Sequence, residues 1–367
     1  MIIGIDGNEA NVQNKVGVSV YTYNLLKYFK SQSSDNLRFI VYLRKNPEAN
    51  LPEASHFFTY KIIWGPVLWS QLFLPVHLWI SKILGMKLHS FFSPAHYIPR
   101  YCPFPTVVTI HDLSYLYFPD EFLKKDLYQL KNWTEYSLNK SKKIIAVSKT
   151  TKKDIMHEYH ILDKKIEVIY NGYESDNPDS SHPSQSLHTY PYFLTVGTIQ
   201  PRKNLSTLIT AFIQFQKNHP DYKLIIAGKK GWKYASIFSQ VEEQKIKENI
   251  ILPGFVSEEE KISLYKNATA FIFPSLYEGF GIPLLEAMSY QCPVLSSFNS
   301  SLPEIGGDAC LYFDPNNSND IVEKMNIIVV DKNLSKILIK SGKKRISAFS
   351  WNETGKNTLH ILQSINE

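Results

Sequence analysis

Residues 273–288 read FPSLYEGFGIPLLEAM, and this stretch decides the fold class. The apolar run that ends before Pro274 predicts a buried strand, and the glycines of the Glu278–Gly281 segment predict a loop. Pro283 is favourable in the first turn of a helix, which we place at about residues 282–290. A strand, a glycine-containing loop and a helix in this order are typical of a β-α-β unit. The stretch therefore predicts an α/β fold with parallel strands.

The same alternation of short apolar runs and amphipathic stretches extends over nearly the whole chain. It predicts strands at residues 2–6, 39–43, 90–92, 106–110, 143–147 and 166–169, then at 192–196, 223–227, 249–252, 270–273 and 293–296. Helices are predicted at residues 17–32, 67–86, 120–141, 148–159, 203–219, 233–247, 257–267 and 282–290, and in the tail at 317–330, 333–346 and 351–365. We therefore expect two parallel sheets of similar size.

A polar segment separates the two halves of the pattern. Residues 174–190, ESDNPDSSHPSQSLHTY, contain no apolar run and are rich in Ser, Pro, Asp and His, as linkers are. The predicted domains are therefore residues 1–173 and 191–349, with this linker between them. Ligands of open α/β sheets bind outside the carboxyl ends of the strands, so we expect the functional residues in the loops that follow strands.

The composition excludes several classes of protein. Hydrophobic residues make up 44% and charged residues 20%, the balance of a globular protein. The net charge of +6 fits an anionic small ligand or an acidic membrane surface, and is too small to indicate nucleic acid binding. Three cysteines without CxxC spacing favour a reducing compartment and no metal–thiolate site. The N-terminus lacks the features of a signal peptide, and GxGxxG, GxxxxGK[ST], HExxH and GxSxG motifs are absent.

Residues 67–86, VLWSQLFLPVHLWISKILGM, are long and apolar enough to be compared with a membrane span. The stretch contains Pro75 and Lys82, and a lysine near the centre of a bilayer costs about 2.5–3.5 kcal/mol. We therefore expect a helix that is broken at Pro75 and packs in the core. Peripheral contact with a membrane surface is the alternative.

Arg202 and Lys203 follow a predicted strand in LTVGTIQPRKN, residues 194–204, and open the next helix. Cations are unfavourable at a helix N-terminus, where the helix dipole favours negative charge. This local conflict indicates that a bound anion, such as a diphosphate, holds both side chains there. The alternative is two solvated surface cations.

Four further residues are candidates for function. Glu278 lies at the mouth of the glycine loop, and the alternative to a functional role is a solvated loop carboxylate. Glu286 lies in the helix after the loop, and the alternative is an acid that is favourable to the helix dipole. His111 ends the strand TVVTI and could donate to or accept from a sugar hydroxyl, oriented by Asp112, although a structural His-Asp pair is the more frequent arrangement. Gly17 lies where the first helix should begin.

Taken together, these blocks resemble glycosyltransferase family 4, the retaining enzymes of the GT-B fold, over nearly the full length. Glu278 and Glu286 match the E-x7-E motif of the family. The other blocks are GTIQPRKN at residues 197–204, HDLSYLYFP at 111–119, GFVSEEEKISLYKNA at 254–268 and CPVLSSFNSSLPEIGGDACLYFDP at 292–315. Many relatives carry an arginine where this chain has Thr198, so Arg202 would supply more of the phosphate charge.

The resemblance implies two Rossmann-like α/β domains that face each other across a cleft. The N-terminal domain would bind the acceptor, the C-terminal domain would bind the donor, and the last helix, residues 350–367, would cross back to the N-terminal domain. Glu278 and His111 would be catalytic, Glu278 by stabilising positive charge at the anomeric carbon. The implied donor-binding set is Gly17, Arg202, Lys203, Gly279, Phe280, Gly281, Ile282 and Glu286.

The implied activity is a retaining, metal-independent transfer of a hexose from a nucleotide-diphosphate sugar, with no cofactor. GDP-mannose is the leading donor, and a saccharide or lipid-linked saccharide of cell-surface polysaccharide synthesis is the expected acceptor. The expected location is the cytoplasm, with peripheral contact to the inner membrane surface and no nucleic acid partner. The alternatives are a UDP- or dTDP-sugar donor, a nucleotide-sugar epimerase or hydrolase on the same scaffold, and a non-catalytic two-lobed sugar-binding protein.

Overall fold

The computed structural model describes residues 1–65, 68–174, 189–231 and 248–365. The chain forms two compact units. The first contains residues 1–116, 124–172 and 349–367, and the second contains residues 117–123 and 173–348. Most of the predicted linker and the whole predicted helix at 233–247 lie outside the described residues.

The first unit is built on a parallel sheet of seven strands. These are β1 (Ile2–Asp6), β2 (Arg38–Leu43), β3 (Phe58–Ile62), β4 (Ser90–Ser93), β5 (Thr106–Ile110), β6 (Lys143–Ala146) and β7 (Ile166–Val168). Their order in the sheet is β3-β2-β1-β4-β5-β6-β7. The central strands β4 and β5 are buried along their whole length, which explains why they read as continuous apolar runs.

Five described α-helices lie between strands of the first unit, where parallel pairing needs crossover connections. They are α1 (Val18–Gln32), α2 (Leu74–Ile83), α3 (Ser114–Tyr117), α4 (Lys124–Lys140) and α5 (Lys149–Tyr159). Helix α5 begins where the sequence predicts, because the Ser148 side chain accepts a hydrogen bond from the backbone N–H of Thr151.

The second unit contains a parallel sheet of six strands among its described residues. These are β8 (Tyr192–Val196), β9 (Lys223–Ala227), β10 (Ile250–Gly254), β11 (Ala270–Phe273), β12 (Val294–Ser297) and β13 (Cys310–Phe313), in the order β10-β9-β8-β11-β12-β13. Its described helices are α6 (Leu205–Gln216), α7 (Glu258–Asn267), α8 (Ile282–Ser289), α9 (Leu302–Gly306), α10 (Ser318–Val330) and α11 (Lys332–Ile346). Two parallel α/β sheets confirm the predicted fold class.

In both sheets the strand order reverses next to the first strand of the unit. In the first unit the reversal lies between β1 and β4, and in the second it lies between β8 and β11. Loops that leave the carboxyl ends of such a strand pair diverge and form a crevice, where open α/β sheets bind ligands. The reversal therefore marks the place to look for a site in each unit.

Two strands were not predicted from the sequence. Phe58–Ile62 is an edge strand in which Thr59 and Ile62 are exposed and Tyr60 and Lys61 are half-buried, so its apolar pattern is weak. Cys310–Phe313 is the short edge strand at the end of the second sheet and is half-buried in its middle.

The apolar stretch at residues 67–86 forms a turn of π-helix, Trp69–Phe73, that continues as α2. The helix type changes at Leu74, next to Pro75, but the backbone of Phe73 and Leu74 stays helical, so the predicted break is wrong. Its inner face, Trp69, Leu74 and Leu78, is buried in an apolar cluster beside the sheet. Among the described residues, no helix has both the length and the apolar character needed to cross a membrane.

The last helix, α12 (Trp351–Ser364), belongs to the first unit, as predicted. It packs along α1, and the side chain of Ser90 donates a 3.0 Å hydrogen bond to the carbonyl of Leu362. A Cβ on Gly172 would lie 2.3 Å from the backbone nitrogen of Trp351, so this close approach requires glycine. The segment 117–123, by contrast, belongs to the second unit, an excursion that no sequence pattern indicates.

Candidate active site

Two loops of the second unit meet at its strand reversal. The first follows β8 and carries Arg202 and Lys203, and the second follows β11 and carries Glu278. The backbone N–H of Leu276 donates a 2.8 Å hydrogen bond to the carbonyl of Arg202 and joins the loops. Strands β8 and β11 are direct neighbours, so residues far apart in sequence are brought together here.

Arg202 and Lys203 both bind the carboxylate of Glu278. Lys203 Nζ donates to Oε1, and Arg202 Nη1 lies 3.4 Å from Oε2. The three side chains are 15%, 13% and 12% exposed, so the alternative of two solvated surface cations is wrong. Both cations lie in a short 3-10 turn, and α6 begins only at Leu205, two residues later than predicted.

The electrostatic balance of this cluster favours an ionised glutamate. Burial alone would raise the pKa of Glu278, but Lys203 and Arg202 together outweigh burial, and the pKa lies below the ordinary glutamate value. The carboxylate is therefore negatively charged at neutral pH. It faces two cations in a partly dry environment, where charge–charge interactions are stronger than in water.

Glu121 is a second acid in this cluster and was not predicted. It is 5% exposed and comes from the segment 117–123, which packs in the second unit. Its carboxylate accepts a hydrogen bond from the backbone N–H of Arg202 and lies 3.7 Å from the guanidinium Nε. Arg202 is thereby held between two carboxylates, and its Nη1 also donates to the carbonyl of Tyr277 at 3.0 Å.

Two serines hold the loop that carries Glu278. The Ser300 hydroxyl accepts from the backbone N–H of Glu278 at 3.0 Å, and the Ser301 hydroxyl lies 2.8 Å from the carbonyls of both Glu278 and Phe280. Neither serine was predicted as part of the site, although both lie in the block at residues 292–315 that resembles the family. Their hydrogen bonds fix the backbone from which the predicted sugar contacts would come.

Gly281 makes the turn from this loop into α8. Its φ of 112° lies in the left-handed region, and a Cβ there would approach Leu302 Cδ2 to 2.8 Å. Gly279 and Phe280 are buried just before it, and Ile282 is the first residue of the helix. The backbone N–H groups at this helix start make a favourable environment for a polar ligand.

Glu286 lies in the middle of α8 and is 18% exposed. Its Oε1 is 3.0 Å from Lys261 Nζ, and its Oε2 accepts a 3.0 Å hydrogen bond from the Tyr265 hydroxyl. Lys261 and Tyr265 belong to α7, so Glu286 is held by the neighbouring helix and is not merely a helix-dipole charge. The structure does not place Glu286 in the ion-pair cluster of Glu278.

In the first unit, Gly17 is the residue before α1, as predicted. It is exposed, and its φ of 53° with ψ of −116° is a backbone conformation that glycine tolerates best. A Cβ at this position would meet no atom within 4 Å, so the requirement for glycine comes from the backbone and not from crowding.

His111 follows β5 and is held as a neutral imidazole. Its Nε2 donates to the carbonyl of Pro94 at 2.8 Å, which leaves Nδ1 as the acceptor of the neutral ring. The ring packs edge-to-face on Tyr21 with a centroid distance of 4.8 Å. Burial, followed by the neighbouring His96, lowers the pKa of His111 to about 4.

The orientation predicted for His111 needs a correction. The hydrogen bond that fixes the ring comes from Pro94, whereas Asp112 Oδ1 accepts from the backbone N–H and the hydroxyl of Ser114, at 3.0 and 2.8 Å. Asp112 thus starts the short helix α3. An aspartate readily caps a helix start nearby in sequence, and such a local bond is formed here.

The strand reversal of the first unit opens into a cleft of about 1220 Å³. Asp6, at the end of β1, lines this cleft and accepts hydrogen bonds from the backbone and side chain of Asn8. Burial nevertheless raises the pKa of Asp6 to about 6, and burial also raises the pKa of Glu9. The remaining lining includes Asn11, Arg44, Trp64, Tyr97 and Trp133.

Family models match both halves of the chain. The description "Glycosyltransferase Family 4" matches residues 16–177, and "Glycosyl transferases group 1" matches residues 176–345. The O-antigen chain mannosyltransferase B of Escherichia coli is 30% identical over 285 residues, which cover 76% of this chain and 74% of that protein. The chain belongs to glycosyltransferase family 4. The resemblance seen in the sequence is thereby confirmed.

Two further comparisons place this family 4 member among its relatives. It is 33% identical over 209 residues to the O-antigen chain mannosyltransferase RfbU of Salmonella typhimurium, covering 57% of this chain and 56% of that protein. The sucrose-phosphate synthase from Thermosynechococcus elongatus superposes with a TM-score of 0.76 at 17% identity, over 100% of this chain and 99% of that chain. The fold of the family 4 member is GT-B, as predicted.

The predicted site residues of this glycosyltransferase fall into two groups. Arg202, Lys203 and Glu278 are brought into contact in the second unit, where the glycine loop and Glu286 also lie. Gly17 and His111 lie in the first unit. Within the described residues, His, Cys, Asp and Glu side chains form no group of three or more that could hold a metal ion.

Proposed function

We propose that this family 4 glycosyltransferase moves a hexose from a nucleotide-diphosphate sugar to a saccharide or lipid-linked saccharide acceptor, with retention of configuration. Mannose from GDP-mannose is the leading donor, and assembly of a cell-surface polysaccharide is the proposed setting. The observation that carries the proposal is the convergence of Arg202 and Lys203 on Glu278 at a strand reversal. The mannosyltransferase names of two relatives support the choice of sugar.

In the proposed complex the donor diphosphate takes over the contacts that Lys203 and Arg202 make with Glu278. A diphosphate ester is a stronger and more highly charged acceptor than one carboxylate, and a guanidinium binds phosphate oxygens in pairs. The two cations would supply the positive charge that a metal ion supplies elsewhere. We therefore propose that no metal or other cofactor is needed.

Glu278, released from Lys203, would then act on the sugar. When the bond between the anomeric carbon and the phosphate oxygen breaks, the sugar gains oxocarbenium character and the diphosphate gains negative charge. The ionised carboxylate stabilises the sugar, and the cations stabilise the diphosphate. An acceptor hydroxyl attacks the anomeric carbon from the same face, and its proton passes to the leaving phosphate oxygen.

The remaining predicted residues have matching roles in the proposal. The N–H groups near Gly281 would bind sugar hydroxyls, and Glu286 would bind the ribose. Gly17 would approach the phosphates, and His111 would contact the donor sugar through a neutral ring. A pKa of about 4 keeps His111 uncharged at neutral pH, so it suits a hydroxyl better than a phosphate.

The cleft at the strand reversal of the first unit is the proposed place for the acceptor. Trp64, Tyr97 and Trp133 offer apolar faces to sugar rings, and Asp6 and Asn11 offer hydrogen-bond partners to hydroxyls. Asp6→Asn should therefore raise the KM for acceptor and leave nucleotide affinity unchanged. An unchanged acceptor KM would remove this cleft from the proposal.

The first test is thermal stability in the presence of GDP, UDP, dTDP or ADP, each with EDTA. A nucleotide at about 100 times its Kd should stabilise the protein by roughly 2.7 kcal/mol, which is readily seen as an upward shift in Tm. A shift with GDP alone supports the mannosyl donor, whereas a shift with UDP or dTDP keeps the enzyme class and discards GDP-mannose. No shift with any of them at millimolar concentration contradicts the proposal.

The reaction itself separates the proposal from its alternatives. Donor, acceptor and EDTA together should give a glycoside with the anomeric configuration of the donor, measured by proton NMR. Product formed from donor alone indicates an epimerase or a hydrolase. Inversion of configuration contradicts the proposed retaining mechanism. Loss of activity with EDTA contradicts the proposed independence from metal ions.

A further inference from the structure

An apolar stripe lies exposed on the first unit. Leu72, Val76, Trp79, Ile80, Ile83 and Leu84 are 45–80% exposed, and their spacing places them on one face of the helix at residues 69–83 and its end. We call these six residues the apolar stripe. The opposite face of the same helix is buried against the sheet, so this helix is apolar on both sides.

The exposed apolar residues of the chain concentrate here. Of the 21 large apolar side chains that are exposed among the described residues, ten lie between Ile62 and Tyr101. Single exposed apolar residues are normal on protein surfaces, but contiguous patches mark interaction sites. The concentration on one helix and its flanks therefore calls for a binding partner.

The charge around the stripe indicates the partner. From Ala54 to His111 the chain contains no Asp or Glu, although the overall content of 34 acids in 367 residues would give about five in this span. The same span contains Lys61, Lys82, Lys87 and Arg100. A surface that combines apolar side chains with cations and excludes acids complements a negatively charged bilayer.

The rim of the stripe has the arrangement expected at a water–lipid boundary. Trp79 donates a 2.7 Å hydrogen bond to the carbonyl of Tyr101, and Tyr101 is 72% exposed. Lys82 donates to the carbonyl of Pro103 at 2.9 Å, and its ammonium lies 5.5 Å from the Trp79 ring. Aromatic side chains with polar tips, next to lysines, are enriched at bilayer interfaces.

Further cations extend this rim. A groove beside Tyr101 is lined by Lys140 and Lys142, from the end of α4 and the residue before β6, and has no acidic residue in its lining. Near a bilayer with anionic lipids, each such cation adds attraction that salt weakens. The apolar stripe and the cations thus belong to one continuous surface of the first unit.

We propose that the apolar stripe inserts into the headgroup region of an anionic bilayer, with Lys82, Lys87, Arg100 and the lysines of the groove on phosphate groups around it. This proposal rests on the proposed function in one respect, because a lipid-linked acceptor would lie in the same bilayer. The helix lies in the interface plane and does not cross the membrane. A soluble protein partner and a second copy of this chain are the competing occupants.

The test compares binding of the full chain to two kinds of vesicle by co-sedimentation. One kind is phosphatidylethanolamine with about one-third phosphatidylglycerol, and the other is phosphatidylcholine alone. We expect at least roughly tenfold tighter binding to the anionic vesicles, weakened by raised salt. Equal binding to both kinds, or no binding to the anionic vesicles, overturns the proposal.

Variants locate the surface. Ile83→Glu combined with Leu84→Glu should lower binding to anionic vesicles by about tenfold or more, because two charges would enter the headgroup region. Val330→Glu combined with Ile337→Glu is the matched control, since these side chains are 77% and 59% exposed in the second unit. Equal binding by both double variants overturns the assignment of the stripe. If the parent forms a dimer, the Ile83 and Leu84 double variant is monomeric and the parent does not bind vesicles, the partner of the apolar stripe is a second copy of the chain.

The Tm shift with nucleotide separates this proposal from the proposed function. The Ile83 and Leu84 variant should keep the parent's Tm shift with GDP, because both residues belong to the first unit and lie outside the predicted donor-binding set. Vesicle binding without any nucleotide shift would support the surface and contradict the transferase proposal. A Tm shift with nucleotide but no vesicle binding would support the transferase proposal and contradict the membrane-binding surface.

Discussion

The two strand reversals of this protein handle charge in opposite ways. In the second unit the carboxylate of Glu278 is compensated by Arg202 and Lys203, and its pKa is lowered in spite of burial. In the first unit burial dominates, so the pKa of Asp6 rises to about 6 and that of His111 falls to about 4. The charged form of Glu278 is favoured in the second unit, whereas burial in the first unit shifts the pKa of Asp6 and of His111 towards the neutral form of each group.

This difference matches the two kinds of substrate in the proposed reaction. A site that already holds two cations and an anion can exchange one anion for another at little electrostatic cost, which suits a diphosphate. Side chains whose charge is disfavoured by burial suit sugar hydroxyls, which carry no charge.

The largest effect is expected for Lys203→Ala. Removing this cation takes away the point charge proposed for the diphosphate, so nucleotide affinity should fall by about 100-fold, as for a lost charged hydrogen bond. Isothermal titration with the preferred nucleotide measures the change. Lys217→Ala is the control, since Lys217 is exposed at the end of α6 in the same unit. Nucleotide affinity within a few-fold of the parent would show that the second unit does not bind its anion through Lys203.

An effect of similar size, but confined to turnover, is expected for Glu278→Gln. The variant keeps the shape of the side chain and removes the charge that competes with a phosphate for Lys203. Nucleotide affinity should stay the same or rise, whereas kcat should fall by about 100-fold or more because the oxocarbenium charge is no longer stabilised. Glu286→Gln should instead lower the affinity for nucleotide. Parent-level kcat in Glu278→Gln removes the catalytic role.

The pKa shifts of His111 and Asp6 in the first unit should be visible in the pH dependence of the free energy of unfolding. The folded pKa of His111 lies below its ordinary value of 6.5, so the unfolded chain binds more protons and stability is lost as the pH falls from about 6.5 to 4. The folded pKa of Asp6 lies above its ordinary value of 3.8, so this group gains stability as the pH falls through about 6. Each contribution is at most about 3 kcal/mol, and the two oppose each other.

Substitution should separate these two contributions. Asp6→Asn removes the stability that Asp6 gains as the pH falls, so the Tm of this variant should fall more steeply than the parent's between pH 7 and about pH 4.5. His111→Gln removes the stability that His111 loses over this range, so the Tm of this variant should fall less steeply. Calorimetry over this range measures the difference from the parent at each pH. Parallel curves for the parent and both variants would contradict the pKa shifts assigned to Asp6 and His111.

The smallest effect is expected for Ser301→Ala. The hydroxyl lies within 2.8 Å of the carbonyls of Glu278 and Phe280, so its loss should destabilise the loop by about 1 kcal/mol and raise the KM for donor a few-fold. Ser347→Ala is the control, since its hydroxyl caps a helix end on the exposed surface. A donor KM equal to the parent's would show that the loop keeps its conformation without Ser301.

Much of the fold could be predicted from the sequence because it depends on local patterns. Eleven predicted strands have counterparts in the structure, since each buried parallel strand is a short apolar run bounded by polar residues. The strands at 58–62 and 310–313, each at one edge of its sheet and only partly buried, were missed. Gly17, Gly281 and the E-x7-E spacing could be recognised because they lie within single β-α units.

The contacts of the candidate site depended on the tertiary structure. Lys203 and Glu278 are 75 residues apart, and Arg202 and Glu121 are 81 residues apart, so their contacts arise from strand order and from the excursion at 117–123. No local pattern encodes the contact of Pro94 with His111 or of Ser301 with the glycine loop. The sequence by itself determined which residues end each strand, because hydrophobic periodicity is a local property. Only the folded chain decided which strand ends meet, and the burial that followed determined which of their side chains carry charge.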